Sequence, residues 1–233
     1  MIFIPDLTLN ISEIFYSIQG EGSRAGMPCI FIRLQGCKLR CSWCDTAYAL
    51  KFDSGGKKMT LQEIKNEILE INCNFVEFTG GEPLEQLNVL NLMEHLLDLN
   101  YLVAVETAGY LDICDLDKRI VKILDFKCPD SKMSQFNLYS NIQCLTKLDE
   151  IKFVIASHSD YIWAKEILSE YNLNLLTKAV FFSFAANPSP EKEIITNKFS
   201  LSKLAELILE DNLPVRLQLQ MHKYVWEPNR RGV

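Results

Sequence analysis

Residues 28–44 read Pro28-Cys29-Ile30-Phe31-Ile32-Arg33-Leu34-Gln35-Gly36-Cys37-Lys38-Leu39-Arg40-Cys41-Ser42-Trp43-Cys44. The apolar run at 28–34 reads as a strand buried on both faces, the kind a parallel sheet requires. Gly36 breaks the run, and three cysteines follow at spacing C-x3-C-x2-C. Three thiolates on one short loop can hold three irons of a cubane iron–sulfur cluster and leave the fourth iron without a protein ligand, whereas ferredoxin clusters take four cysteines. An open iron is a place for a substrate or cofactor to bind, so the triplet points to chemistry rather than to storage of electrons. The rival is a structural zinc site, which needs a fourth ligand from elsewhere, such as Cys128 or His95.

Outward from this stretch, apolar runs alternate with segments of helical period. Strands are predicted over 74–79, 102–107, 121–127, 151–156, 178–184 and 215–221, and helices over 60–71, 84–99, 160–171 and 200–210. Thr60 and Glu63 form a capping-box pair ahead of the first helix. This alternation implies an α/β fold, an open partial barrel of about six mainly parallel strands with crossover helices, in one domain over residues 1–233. Residues 51–58 look like a flexible linker, and 128–149 like a polar insertion over one face. Ligands of such sheets sit at the carboxyl ends of the strands. There the chain places the loop 36–46, Thr79-Gly80-Gly81-Glu82-Pro83, Glu106-Thr107-Ala108-Gly109, Asp125-Phe126-Lys127 and Ser183-Phe184.

The chain has 233 residues, 48% of them hydrophobic, and a formal net charge of -6. A general nucleic-acid binder carries a basic excess, so a small-molecule substrate is the better expectation, with only Arg230-Arg231 as a local basic pair. No run approaches the length of a membrane span, and the N-terminus lacks a secretory pattern. The expected location is the cytoplasm, where the eight cysteines should be mostly reduced and their clustering favours a metal site.

Other residues admit plain readings. Gly80-Gly81 lets backbone approach a ligand, or simply turns the chain. Thr46 caps a turn or binds a hard cation such as Mg2+. Arg33 makes a salt bridge or binds a carboxylate. Cys29 and Cys73 read as packing residues, and the spacing of these with Cys114, Cys128 and Cys144 suggests no second cluster. His95 and His158 read as structural, and His222 as a core, rim or catalytic histidine.

The cysteine loop with Trp43 inside it, together with Gly80-Gly81-Glu82-Pro83, resembles the radical S-adenosylmethionine (SAM) superfamily. Glu13-Ile14-Phe15-Tyr16-Ser17-Ile18-Gln19-Gly20-Glu21-Gly22, the closing Cys44-Asp45-Thr46, and the tail Gln218-Leu219-Gln220-Met221-His222-Lys223-Tyr224 through Arg230-Arg231-Gly232-Val233 closely resemble the 7-carboxy-7-deazaguanine synthase family. The resemblance implies a queuosine and deazapurine pathway lyase that converts 6-carboxy-5,6,7,8-tetrahydropterin to 7-carboxy-7-deazaguanine with loss of ammonia. It implies a 4Fe-4S cluster on Cys37, Cys41 and Cys44, SAM as a recycled cofactor, and Mg2+ at Thr46. By motif, Ile18, Gln19, Gly20, Arg33, Thr79 and the terminal carboxylate of Val233 resemble substrate contacts. Trp43, Cys44, Asp45, Gly81, Glu106, Asp125, Phe126, Lys127 and Ser183 resemble SAM contacts. A homodimer and a flavodoxin or ferredoxin as electron donor are implied, with no direct nucleic-acid partner and no membrane. The alternatives are a glycyl-radical enzyme activase, which shares the loop and fold, and a zinc-stabilised binding module.

Overall fold

A computed structural model describes residues 2–185, 199–227 and 230–233. One sheet of nine strands organises these residues, in the order β3-β1-β2-β4-β5-β6-β7-β8-β9. The strands are β1 (Thr8–Ile18), β2 (Pro28–Leu34), β3 (Lys57–Thr60), β4 (Phe75–Gly80), β5 (Leu102–Thr107), β6 (Val121–Phe126), β7 (Glu150–Ile155), β8 (Ala179–Phe184) and β9 (Arg216–Gln218). From β2 across to β9 every neighbouring pair is parallel, whereas β1 runs antiparallel to both β2 and β3. β3 and β9 form the two edges, so the curl is an open barrel as expected. The sheet is wider than expected, because residues 8–18 add a long strand and the supposed linker ends in β3.

The parallel strands are hydrophobic on both faces for two different reasons. On the outer face Ile30, Ile32, Leu34, Val76, Phe78, Val103 and Val105 pack with Leu61, Ile64, Ile68, Leu92 and Leu96. These last belong to α1 (Leu61–Leu69) and α2 (Val89–Asp98). Further along, α3 (His158–Tyr171) and α5 (Leu201–Glu210) cover Leu124, Phe126, Ile151, Phe153 and Phe182, with a single turn α4 (Leu173–Leu176) between them. On the inner face Cys29, Phe31, Phe75, Ala104 and Val121 fill the barrel. Strand side chains alternate, so Glu77, Glu106 and Asp125 must follow Phe75, Ala104 and Val121 inward.

The segment 128–149 has no sheet pairing and forms three short 3-10 turns. Buried Asn141 ties it to the β5–β6 connection, donating to the carbonyls of Gly109 and Leu111 and accepting from the amide of Ile113. That juxtaposition brings Cys114 to Cys144, which are joined as a disulfide, Cα to Cα 5.1 Å. The expectation of reduced thiols therefore fails for this pair and holds for the other six cysteines.

The capping box predicted for α1 is present: the Thr60 hydroxyl accepts from the Glu63 amide and the Glu63 carboxylate accepts from the Thr60 amide. Thr60→Ala should lower stability by about 1 kcal/mol in a urea melt, because it strands an amide of the first turn.

Candidate active site

The cysteine loop leaves β2 at the carboxyl end of the sheet, where strand-to-helix loops of a parallel barrel converge. Its entry is fixed by backbone bonds, Gly36 N to Ala49 O at 2.7 Å and Cys37 N to Leu50 O at 3.1 Å. The Arg40 guanidinium donates back to the Cys37 and Leu39 carbonyls and tightens the first turn. Gly81 lies against this loop so closely that a Cβ there would sit 2.2 Å from Gly36 O. Only glycine lets the Glu82 amide reach the Gly36 carbonyl at 2.8 Å.

Hydrogen bonds then run around the rim. Glu82, fully buried, accepts from Thr107 Oγ1 and from Ala108 N, both at 2.8 Å. Gly109 O is held by Asn141 and by the Leu138 amide, and Ser42 bonds to the carbonyls of Asp130 and Ser131. The insertion thus closes a circuit that starts and ends at the cysteine loop. Burial pushes the Glu82 carboxyl up to about 7, against the pull of those donors.

Cys37, Cys41 and Cys44 are free thiols, the first buried and the other two half-buried. Burial raises the Cys37 thiol, and lifts Cys41 to about 11 although the Lys127 ammonium opposes it. Among the described residues no group of three or more His, Cys, Asp or Glu is placed to share one metal ion. The fourth ligands that a zinc site would need are committed elsewhere: His95 stacks on Phe3 at 3.9 Å, and Cys128 lies in the outer core. A cubane makes no such demand, since each thiolate binds a different iron. Thr46 Oγ1 stands 3.8 Å from Cys44 Sγ and 3.4 Å from Gly80 O. Trp43 is half-buried in the turn and Asp45 is exposed beside it.

After β1 the chain crosses the inner face of the sheet. Gln19 amide bonds to Met27 O, Glu21 reaches Lys152 on β7 at 3.0 Å, and Ser23 and Arg24 reach Glu150 at the start of β7. Gly22 N bonds to Gln218 Oε1 at 2.7 Å. Gly20 passes beneath α6 (His222–Val225), where a Cβ would lie 2.9 Å from His222 Nδ1. The run Gln19-Gly20-Glu21-Gly22 thus forms a floor across the open side of the barrel.

Above that floor lies a small cavity lined by Gln19, Glu21, Glu77, Glu106, Lys152 and Gln218, among others. Among the described residues Lys152 is its only ammonium, and it pairs with Glu21 and Glu106, with Asp125 Oδ2 at 3.9 Å. Asp125 Oδ2 also binds Lys127 at 2.7 Å, which continues the charge network towards Cys41. Asp125 Oδ1 is buried without a hydrogen-bond partner among the described residues. Gln220 ties the tail in, donating to Glu21 at 3.0 Å and to Asp45 at 3.4 Å. Arg33 is a salt bridge in this structure: its Nε donates to Glu13 at 2.7 Å, and Phe15 and Tyr48 flank the guanidinium. Tyr48 also donates to Glu13, and Arg231 stacks on its ring at 3.7 Å, bringing the C-terminal residues to the same corner.

Most of the residues expected at the site converge on this interior. Thr79 faces it in register with Arg33, and Ser183 with Gln218. Ile18 ends β1 opposite Pro28, and Val233 is half-buried. Phe126 does not converge: its ring stacks on Phe153 in the outer core, which leaves only its main chain near the rim. Glu21, Glu77, Gln218 and Lys152 were not singled out as site residues. The signal for two of them was present, a lone charge at the centre of Val76-Glu77-Phe78 and of Ile151-Lys152-Phe153.

Burial alone would raise Glu21, but Lys152 and the Gln220 amide outweigh it and hold the carboxyl below its ordinary value of 4.5. Burial likewise opposes the Lys152 ammonium, but Glu106, Glu21 and Asp125 hold it well above its ordinary 10.5. The pair therefore stabilises the fold above 4.5 and below 10.5, and the contribution is lost as pH falls through the folded value of Glu21. Lys152→Met should cost about 3 kcal/mol in urea melts at neutral pH, by leaving buried carboxylates uncompensated. The deficit should shrink on acidification, because Glu21 without its ammonium takes up a proton more readily in the folded state.

The radical SAM superfamily model matches residues 31–131 of the chain. The 7-carboxy-7-deazaguanine synthase of Chlorobaculum tepidum is 41% identical over 228 residues, covering 97% of this chain and 97% of the relative. That of Koribacter versatilis is 40% identical over 229 residues, covering 97% and 100%. The crystal structure of QueE from Escherichia coli shares the fold at TM-score 0.72 and 21% identity, over 92% of this chain and 95% of that one. With such identity sustained from end to end, and the superfamily match taking in the cysteine loop, the chain belongs to the 7-carboxy-7-deazaguanine synthase family of the radical SAM superfamily.

Proposed function

We propose that the protein converts 6-carboxy-5,6,7,8-tetrahydropterin to 7-carboxy-7-deazaguanine with loss of ammonia, in the deazapurine pathway that leads to queuosine. The observation that carries this reading is the loop of three free thiols on the rim above a polar barrel interior, in a chain similar over 97% of its length to named synthases. Nothing in those matches favours the activase or the zinc module.

The residues present fit a 4Fe-4S cluster and SAM. The buried thiol at 37 and the half-buried one at 41 need positive charge beside them to ionise, and Lys127 alone does not supply enough. Iron on Cys37, Cys41 and Cys44 would. The unpartnered Asp125 Oδ1 is an acceptor for a hydroxyl or ammonium hydrogen of SAM. Trp43, Asp45, Gly81, Glu106, Lys127, Ser183 and the main chain of Phe126 complete that wall, and Thr46 offers its hydroxyl to Mg2+. When bound, the cluster and SAM supply hydrogen-atom abstraction; the protein binds, orients and shields.

On the substrate side, Ile18, Gln19 and Gly20 form the floor, and Arg33 and Thr79 the wall. Glu13 and the flanking rings fix the Arg33 guanidinium, whose two remaining nitrogens can receive a substrate carboxylate. The floor and tail exclude water from a site where radical chemistry tolerates little of it. The terminal carboxylate of Val233 accepts pterin N–H groups.

A single domain over 1–233, a homodimer, the cytoplasm and a flavodoxin or ferredoxin donor complete the proposal. Among the described residues no helix is long and apolar enough to cross a membrane.

Protein reconstituted without oxygen and given SAM, dithionite, Mg2+ and 6-carboxytetrahydropterin should yield 7-carboxy-7-deazaguanine by mass spectrometry. Cys41→Ala should lose both iron and product; SAM cleavage without that product would send the reading back to the activase. An extension added after Val233 should raise KM about tenfold, the worth of one charge-assisted bond. An unchanged KM would remove the carboxylate from the site.

A further inference from the structure

Glu77 is an acid of the barrel interior that the proposed chemistry leaves without a role. It lies at the middle of β4, in register with Phe31 on one side and Ala104 on the other, and is 3% exposed. Among the described residues it makes no ion pair; the nearby ammonium of Lys152 is taken by Glu21 and Glu106. Its hydrogen-bond partner is Gln19, whose Nε2 donates to Glu77 Oε2.

The other end of the same amide is also fixed, because Gln19 Oε1 accepts from the Glu21 backbone amide at 3.0 Å. A backbone N–H can only donate, so the atom facing it must be the amide oxygen and the atom facing Glu77 must be the nitrogen. The orientation of the Gln19 amide is thereby fixed, and its nitrogen keeps one N–H that neither bond uses.

We propose that Glu77 is a positioning residue that acts through Gln19, locking the orientation of its amide, so that the N–H left on its nitrogen meets an acceptor atom of the pterin at a fixed point of the floor. The inference rests on the reading of Gln19 as a substrate contact. Free to rotate, the amide could present oxygen or nitrogen and would discriminate poorly; locked, it rejects a donor at that position.

The charge state of Glu77 suits this task. Burial raises its carboxyl to about 8, with Glu106 and Glu21 adding to the shift while Gln19 and Lys152 oppose it. The remaining titratable neighbour, Cys29 on β2, is held as a neutral thiol by its own burial. At neutral pH the cavity therefore holds Glu21 and Glu106 against Lys152, and Glu77 adds a hydrogen bond without adding a negative charge. Above about 8 it ionises, and an anionic substrate meets a third carboxylate.

The test is equilibrium binding of 6-carboxypterin to the reconstituted holoenzyme between pH 6.5 and 9, with KM and kcat measured alongside for the tetrahydropterin. The wild type should bind more weakly above about pH 8. Glu77→Leu should weaken binding at pH 7 about tenfold and raise KM more than it lowers kcat. Glu77→Gln, which can still accept from Gln19, should recover most of that loss and abolish the alkaline weakening. Gln19→Leu should weaken binding as Glu77→Leu does, and the double variant no further. Effects that add, or wild-type affinity in Glu77→Leu, would overturn the proposal. Normal binding by Gln19→Leu with product still formed would overturn it and leave the function standing, whereas a wild type that neither binds nor converts the pterin would take both down.

Discussion

Lys152 sits on β7 between Ile151 and Phe153 and turns the barrel interior into a site. An ammonium there is tolerable only because Glu21 and Glu106 meet it and Asp125 lies close by. Glu21 is not part of the sheet. It arrives on the segment that crosses from β1, and its bond to Lys152 draws that segment over the inner face. Gln218 and Gln220 bind the same carboxylate, so the tail is gathered by the same charge. Floor, wall and tail thus share one electrostatic anchor. The cysteine loop is joined to it through Asp125 and Lys127.

At the carboxyl ends of the strands the construction rests largely on main-chain atoms. Gly81 nests on Gly36, and Glu82 bridges to the next loop. The irregular insertion returns to Ser42. A rim made in this way holds the cysteine loop by many weak bonds to main-chain atoms, given by backbone and by the side chains of Arg40, Ser42 and Asn141, none of which lies on the floor. Specificity can then be set on the floor, by Gln19 and its neighbours, without disturbing the loop that carries the thiols.

The legibility of the chain followed from how each element is stabilised. Strands buried on both faces, such as Ile30-Phe31-Ile32 and Val103-Ala104-Val105, announce themselves by continuous apolar runs. The cysteine spacing and Gly80-Gly81 gave the rim at once. β3 was illegible because only Met59 of its four residues is buried, and an edge strand with one core residue has no period to detect. β1 alternates Leu9 and Ile11 with Thr8 and Asn10, a pattern short enough to pass as a loop. Phe126 was placed at the site by its neighbours in sequence, but the pleat turns it outward while Asp125 goes inward. The pairing of Cys114 with Cys144 depends on Asn141 folding the insertion back, a tertiary event that spacing does not reveal.

An open barrel, unlike a closed one, has two free margins along which a foreign strand could add. Here both are poor templates. β3 is four residues long and carries Lys57 and Lys58 in exposed positions; β9 is three residues long and opens with exposed Arg216. Short, cationic margins discourage the stacking of one copy's sheet onto another's. Two copies of this chain would therefore meet through side-chain surfaces and not by continuing the sheet, and the openness that admits a substrate does not make the protein an aggregation seed.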